Sequence, residues 1–454
     1  MTVLRDAETI YIGNTEAARV YIGSREVWSP GIAFSSVWDT RNTEQNFSGE
    51  LISTEENQIS LPLVENGNYN FIVSWGDGNF DQITSFDQPE KTHTYDEPGR
   101  YTINIQGDIL GWSFNNSGDK NKIIEIRSFG ELSLGLTEGQ FFGCENLTIT
   151  ADDSVSLEST TSLKNVFRDC KTLSSAPSLE FWNTNSITNL DFAFANATNF
   201  NQYIGSWNTT NVESMRFTFY QANSFNKDIS SWDTSSVKDM GYLFDDATSF
   251  NQDISSWQTT LVTDMNSMFA GATNFNHPLN WDTQNVVDMS NMFGKAKNFN
   301  QDISFWNTGN VSDMNSMFYE AESFNQPLNS WDVTNVQNMS FMFSEAKNFD
   351  QPLSGWITNS LRDTSYMFYN ANSFSQDLST WDIFSLQKAK KMFTRVTLET
   401  SDYDALLAGW SSTPINDIPE NIEIDFGFSK YTNQAAKDIL LSKGWTIIDG
   451  GLDE

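Results

Sequence analysis

Cysteine and histidine are nearly absent from this 454-residue chain, which holds two of each. Two cysteines cannot staple a chain of this length, so a disulfide scaffold is excluded. Two histidines leave little material for imidazole catalysis or a zinc centre. Positive charge is also scarce: 26 Lys+Arg face 59 Asp+Glu, a net charge of −33. Such a surface repels phosphate backbones and argues against a nucleic-acid partner. No stretch approaches the ~20 apolar residues of a membrane-spanning helix, so no membrane partner is expected. The opening MTVLRDAETIYIG has no apolar run behind a basic segment and is not expected to act as a secretory signal. Aromatic side chains, by contrast, are in excess, with 35 Phe, 15 Trp and 13 Tyr beside 13 Met. That much aromatic surface must be buried or used in contacts, which excludes a disordered acidic chain.

The excess is periodic. Trp stands at 182, 207, 232, 257, 281, 306, 331, 356 and 381, with steps of 25 residues and one of 24. Phe follows in phase at 194, 219, 244, 269, 293, 318, 343, 368 and 393, and a second Phe column runs from 200 to 374. Twelve of the 13 Met fall on two positions of the same unit, as Met289 and Met292 do. One 25-residue unit cannot bury its own aromatic face, whereas stacked units bury a continuous core. The expected fold is therefore a repeat solenoid in which equivalent residues form ladders. At ~4.8 Å of rise per coil, ten or so coils extend about 50 Å.

Within a unit, Val286, Met289, Met292, Phe293 and Ala296 follow the spacing of one helix face. The pattern predicts a short helix after an Asn285 N-cap, with Asp288 at its third position. The piece from Phe299 to Trp306 alternates and is expected to be a short strand. The lone 24-residue step, just before Trp281, marks a tolerant turn. Cys144 and Cys170 occupy the slot that Ala fills in later units and are expected to be packed free thiols rather than redox groups.

The motif Phe141-Phe-Gly-Cys144-Glu-Asn-Leu147, followed by units of the form W-D-T-x-N-V-x-x-M-x-x-M-F, resembles the BspA-like leucine-rich-repeat surface proteins. The closing stretch, from Tyr403 through Trp410 to Gly444-Trp445 and Gly451, resembles the end segment of that family. Within it, 433–443 is expected to be a helix and 445–448 a last strand. Before the repeats, Trp75-Gly-Asp-Gly78, Thr92-His-Thr-Tyr95 and Pro98-Gly99 resemble a PKD-type β-sandwich. The resemblance implies a leucine-rich-repeat-like solenoid, a short parallel strand plus a short helix per coil, with an N-terminal β-sandwich and a C-terminal α/β cap. The expected domains are an arm at 1–30, a PKD-like sandwich at 31–112, the solenoid at 113–395 with regular units from 181, and the cap at 396–454. The resemblance also implies a bacterial surface or secreted protein with a role in adhesion; it does not name a ligand.

The first 30 residues depart from that family. Ile10-Tyr-Ile-Gly13 and Val20-Tyr-Ile-Gly23, closed by Val27-Trp28, resemble the short β-arm that opens many tailed-phage virion proteins. Tyr11, Ile12, Tyr21, Ile22 and Trp28 are the candidate docking residues toward other virion structural proteins. The expected function is a non-enzymatic virion fibre or decoration protein that attaches to a host surface protein or glycan. The alternative is a secreted or cell-surface bacterial adhesin. Either could be a homo-oligomer.

Other periodic residues carry competing readings. Trp207, Trp232, Trp257, Trp281, Trp306, Trp331 and Trp356 could form an exposed strip for sugars, but core packing is the expected role. The Thr column (Thr184, Thr209, Thr234, Thr259, Thr283 and Thr308) is expected to make turn hydrogen bonds rather than a flat binding face. Asp228, Asp253, Asp302 and Asp377 line a solvated rim; no loop supplies the 6–8 oxygens of a calcium site. Asp77 and His93 sit in turn and strand motifs with no nucleophile. An enzyme would need a paired-carboxylate cleft that breaks the repeat, and the acidic residues follow the repeat instead. No catalytic residue, metal or cofactor is expected.

Overall fold

The computed structural model describes residues 33–414 and 416–453, and the backbone of four short strands before them. The chain forms two compact units, 1–212 with 222–232 and 213–221 with 233–454.

In the first unit, β1 (Tyr11–Ile12) pairs antiparallel with β2 (Thr15–Glu16), and β3 (Val20–Ile22) with β4 (Arg25–Trp28). The doubled motif thus lies on two short antiparallel hairpins. A mixed sheet follows, built from β5 (Phe34–Asp39), β7 (Asn68–Ser74), β8 (Phe80–Ile83), β10 (Arg100–Leu110), β11 (Ile123–Ser128) and β13 (Thr148–Ile149), in the order β13-β11-β5-β10-β7-β8. β7 shows why these residues form strands: Tyr69, Phe71 and Val73 point inward, alternating with Asn68, Asn70 and Ile72. The turn to β8 follows the expected Asp77–Gly78 signal, with Gly78 at φ 96°. A second small sheet pairs β6 (Gln58–Ser60) with β9 (Thr92–Thr94). β12 (Leu132–Ser133) joins β10 in parallel, and β13 joins β11 in parallel. The sheet therefore runs across residue 112, where a domain boundary was expected. The first parallel coils grow from its strands.

A buried ion pair locks this region. Lys122 is fully buried and donates from Nζ to the Thr54, Glu55 and Gln58 carbonyls and the Thr54 hydroxyl, at 2.7–3.0 Å. Asp119, 3.5 Å away, accepts from the backbone N–H of Thr54 and Ser60. The buried ammonium and both oxygens of the buried carboxylate are thereby hydrogen-bonded.

The second unit is a stack of coils whose interior is as expected: Val286, Met289, Met292, Phe293, Ala296 and Phe299 are all fully buried. The backbone differs from expectation. No helix lies between residues 182 and 399, and Phe299–Trp306 is not a strand. The Met292, Gly294 and Ala296 N–H groups close three-residue turns onto Met289, Asn291 and Phe293. Met289, Asn291, Phe293 and Lys295 instead donate to carbonyls of the next coil, at Asp313, Asn315, Met317 and Tyr319. The two patterns interleave because Asn291 and Lys295 are left-handed, at φ 56° and 60°. Their counterparts Ser316 and Glu320, and Phe341 and Glu345, are the same.

Space excludes the helix. Stacked Phe rings such as Phe293 and Phe318 lie 5.8 Å apart, and stacked Trp rings such as Trp281 and Trp306 lie 6.5 Å apart. The coils are close on both columns, and an α-helix with its side chains needs ~10 Å. Repeated i→i+3 turns give the same apolar spacing as a helix, so the sequence pattern could not separate the two.

The expected caps also change role. Asn285, Asn310 and Asn335 do not accept from a helix end; each side-chain NH2 donates to a carbonyl of the preceding coil at 2.7 Å. The one β-bridge of each coil falls at the Asp288 position and runs in parallel from Ser214 through Asp239, Asp264, Asp288, Asp313, Asn338 and Asp363 to Lys388.

The stack closes through its own ladders. Helix α1 (Thr400–Ser411) delivers Trp410, whose indole donates to the Leu378 carbonyl at 3.2 Å, as Trp381 does to Leu353. Phe426 stacks 5.3 Å from Phe393 beside strand β14 (Glu423–Asp425). β14 pairs in parallel with β15 (Thr446–Ile448), and α2 (Gln434–Ser442) lies between them in sequence, capped by the Asn433 side chain on the Ala436 N–H. The helix and strand expected at the C-terminus are both present, within a residue or two of their expected ends.

Candidate functional surface

The periodic residues first considered as binding surfaces are interior. Trp207, Trp232, Trp257, Trp281, Trp306, Trp331 and Trp356 are only 2–4% exposed. The Trp306 indole N–H donates to the Leu279 carbonyl of the previous coil at 3.1 Å, and Trp331 and Trp356 repeat the bond. An exposed sugar strip on the Trp column is thereby overturned: an indole that is buried and has spent its N–H on a carbonyl cannot reach a ligand. The Thr column is buried too. Thr259, Thr283 and Thr308 donate from their hydroxyls to the next coil at 2.8–2.9 Å, while their carbonyls accept the expected turn bond.

The rim carboxylates of Asp253, Asp302 and Asp377 each accept a backbone N–H two residues on. Among the described residues no group of three or more His, Cys, Asp or Glu is arranged to hold a metal ion. Cys144 and Cys170 are free and buried, and burial pushes both thiols far up, so they act as small apolar groups. His93 bonds Asp77 at 2.7 Å and stacks on Trp75 at 4.9 Å. The nearby Tyr95 hydroxyl is held on the Trp75 carbonyl. This is a packed turn, with no nucleophile against it.

Two columns of the second unit lie at and beside the bridge position of the coils and reach the surface. One column is acidic: Asp239, Asp264, Asp288, Asp313 and Asp363 each accept the N–H two residues ahead. Its ends are neutralised, by Arg216 on Asp239 and Asp264 and by Lys388 on Asp363. Burial raises the Asp239 and Asp313 carboxyls above the usual range. Asp245 is pushed up to about 7 by burial and by Asp246 beside it.

A second column, at the left-handed position, reads Phe217, Tyr242, Ser267, Asn291, Ser316, Phe341, Tyr366 and Lys391. Phe217 and Tyr242 stack at 4.3 Å beneath the Arg216 guanidinium, and Phe341 and Tyr366 stack at 4.6 Å. Phe341 is 36% exposed. Bulky residues seldom adopt positive φ. This column was missed in the sequence because its residue type changes from coil to coil; the signal was aromatic residues recurring in phase at an otherwise polar position. The first unit has a related feature, where the Arg168 guanidinium lies between Phe142 and Phe192, 4.8 Å from each.

The docking residues expected in the arm, Tyr11, Ile12, Tyr21, Ile22 and Trp28, all lie on the two hairpins. Their side chains, and residues 1–10, lie outside the described residues.

The coils match one family model three times in overlapping register, over residues 161–280, 252–346 and 306–410. Its description is "Mycoplasma protein of unknown function, DUF285". The chain belongs to this family. The DUF285 matches begin just before the first regular coil and end at Trp410, the last ladder Trp, so the family's repeat is the coil described above. An internalin of Listeria monocytogenes is a structural neighbour at 9% identity and a TM-score of 0.18, covering 74% of this chain and 89% of that one. No curated protein matches the DUF285 chain.

Proposed function

We propose that the protein is a non-enzymatic surface protein whose coils serve attachment. The observation that carries this reading is how the repeat uses its residues. Its buried Trp and Phe columns are spent on holding coil to coil, whereas the outward left-handed column changes residue type from coil to coil. A stack built this way is a scaffold that displays a surface. The acidic residues of the coils follow the repeat rather than a cleft.

The finer reading is a virion fibre or decoration protein, held to other virion proteins by the arm at 1–30. The two hairpins support it, since segments so short bury too little to be stable alone and gain from a partner. In this reading 31–112 is a PKD-like spacer, the coils project outward, and the net charge of −33 keeps particles apart. The alternative is a secreted or cell-surface bacterial adhesin of the BspA-like type. Deleting residues 2–30 separates the two. A shortened protein that stays folded but no longer co-purifies with particles supports the anchor. One that still assembles, or never associates with particles at full length, supports the adhesin.

A further inference from the structure

The coil ladder of the second unit has an open end. Its last bridges run from Ala389 to Ile424 and from Ile424 to Ile447, so β15 is the final rung among the described residues. Thr446 donates its N–H to the Ile422 carbonyl, and the Ile448 carbonyl accepts from Phe426, both at 2.8 Å. Thr446 and Ile448 therefore spend their backbone groups on β14. Ile447, between them, turns its N–H and C=O to the opposite side. No described strand pairs with β15 on that side. The rung is also apolar and incompletely covered. Ile424 is fully buried, whereas Ile447, its counterpart one rung on, is only half-buried. Ile448 and Leu452 are each 52% exposed, and Leu452 continues the rung by bridging to Tyr431. Thr446–Ile448 carries no proline, no lysine and no bulge, the usual guards of an exposed edge.

We propose that β15 pairs antiparallel with β15 of a second copy of this chain, making a two-fold dimer. Three features favour a copy of the chain as the occupant. Antiparallel pairing centred on Ile447 is self-complementary: the two Ile447 residues exchange both N–H···O bonds, and each Thr446 stands opposite the Ile448 of the other copy. A two-fold axis normal to the sheet also keeps core face with core face, so the two half-buried Ile447 side chains come together. The charges match as well. Lys443 lies before the strand and Asp453 after it, so reversal brings the Lys443 end of one copy to the Asp453 end of the other. Lys443 already pairs with Glu420 at 3.1 Å, and Asp453 with Lys430 at 3.6 Å, and the dimer sets these two opposite pairs side by side. Parallel pairing would instead set like end on like end.

The net charge of −33 opposes association at long range. Charges more than ~8 Å apart are screened at physiological salt, so the groups at the edge decide. A strand of three residues supplies few bonds, and the dimer is expected to exchange with monomer. It would present two copies of the coil surface, which makes attachment bivalent.

The test is sedimentation velocity of the full chain over a wide range of concentration, beside Thr446→Lys/Ile448→Lys. Both side chains are exposed, so the substitutions leave the bonds to β14 in place and set cations against each other across the pairing. The expected result is a monomer–dimer equilibrium whose dissociation constant rises at least tenfold in the double variant. Register is read separately, by mixing a Thr446→Cys chain with an Ile448→Cys chain. Positions 446 and 448 stand opposite each other in a non-hydrogen-bonded pair, where the side chains are close enough for a disulfide. Cys144 and Cys170 are buried and do not compete. On oxidation the mixture should give a cross-linked dimer, and either variant alone far less. Thermal melting checks the fold of each variant; if the Lys variant is destabilised, the cross-link decides by itself. A full chain that stays monomeric at every concentration overturns the proposal. So does a dimer that the Lys variant keeps, or a mixture that does not cross-link. Association lost on deleting residues 2–30 but kept in the Lys variant would assign the contact to the N-terminal arm instead.

Discussion

The sheet of residues 34–149 and the coils of 233–393 solve the same problem by opposite means. Both bury polar groups that must be paired. In the sheet each buried group has its own unrelated partner, far off in sequence: Lys122 with the 54–58 carbonyls, Asp119 with Thr54 and Ser60, and Tyr69 with the Gly111 carbonyl at 3.1 Å. In the coils each group is paired with the copy of its neighbourhood one coil away. Asn300 accepts from Asn325 through backbone N–H and from Gln326 through its amide, and Asn325 repeats this with Asp350 and Gln351. A one-off network fails as a whole when one member is lost. A ladder loses one rung.

The sharpest break is Asp119→Ala. It leaves the Lys122 ammonium buried without its anion and orphans two backbone donors, and removing one partner of such a pair costs ~3–5 kcal/mol. Chemical denaturation should show the transition of the first unit moved to much lower denaturant. A shift of the whole chain by under 1 kcal/mol would mean the network is not cooperative.

Phe293→Ala should cost about 3 kcal/mol, from the lower part of the range for buried aromatic truncations. The ring stacks on Phe269 at 5.7 Å and Phe318 at 5.8 Å, and on Phe299 in its own coil at 3.9 Å. Hydrogen exchange should show the loss confined to that coil and its neighbours. Loosening spread evenly from 233 to 393 would erase the contrast with the sheet.

Trp306→Phe keeps the ring stack and removes the indole donor from the Leu279 carbonyl. Leaving one buried acceptor unpaired costs on the order of 1–3 kcal/mol. A neutral outcome would assign the Trp column's contribution to stacking alone.

Acid and base should pull the two regions apart. Asp39 is lowered to about 2, chiefly by the Arg41 guanidinium, with Arg100 helping against burial. A lowered carboxyl stabilises the fold above its unfolded value, and that contribution is lost as pH falls from about 4 through 2. Asp245 is raised to about 7. The folded coil then binds the proton more tightly than the unfolded chain, so stability falls as pH rises from about 4 to 7. In melting curves across pH, Asp39→Asn should remove the acid-side slope and Asp245→Asn the neutral-side one. The reverse assignment would invert the electrostatic comparison.

The smallest effect is expected from Asn310→Ala. Its side chain is exposed and donates one bond, to the Gln284 carbonyl. The expected loss is at most about 1 kcal/mol, the net worth of a single hydrogen bond.

Some of this was legible in the residues alone. The Trp, Phe and Met columns, the buried cysteines, and the terminal helix and strand all follow from type and spacing. The helix assigned to 285–299 failed because i→i+3 turns and an α-helix bury the same residues; only the hydrogen-bond partner differs. The Asn285 column was read as a cap for the same reason. The stacked aromatic pairs Phe217–Tyr242 and Phe341–Tyr366 were not legible, since their position carries a different residue type in most coils.

By itself the sequence determined the period, the core and the fact of stacking, because a 25-residue unit with that many aromatic residues has no other way to hide them. Tertiary structure decided the path of the backbone within each coil. Neighbours about 6 Å away leave no room for a helix, so half of the N–H groups turn outward to the next coil and the left-handed residues make that turn possible. That path also decided which side chains face out, and therefore which surface is left to meet a partner.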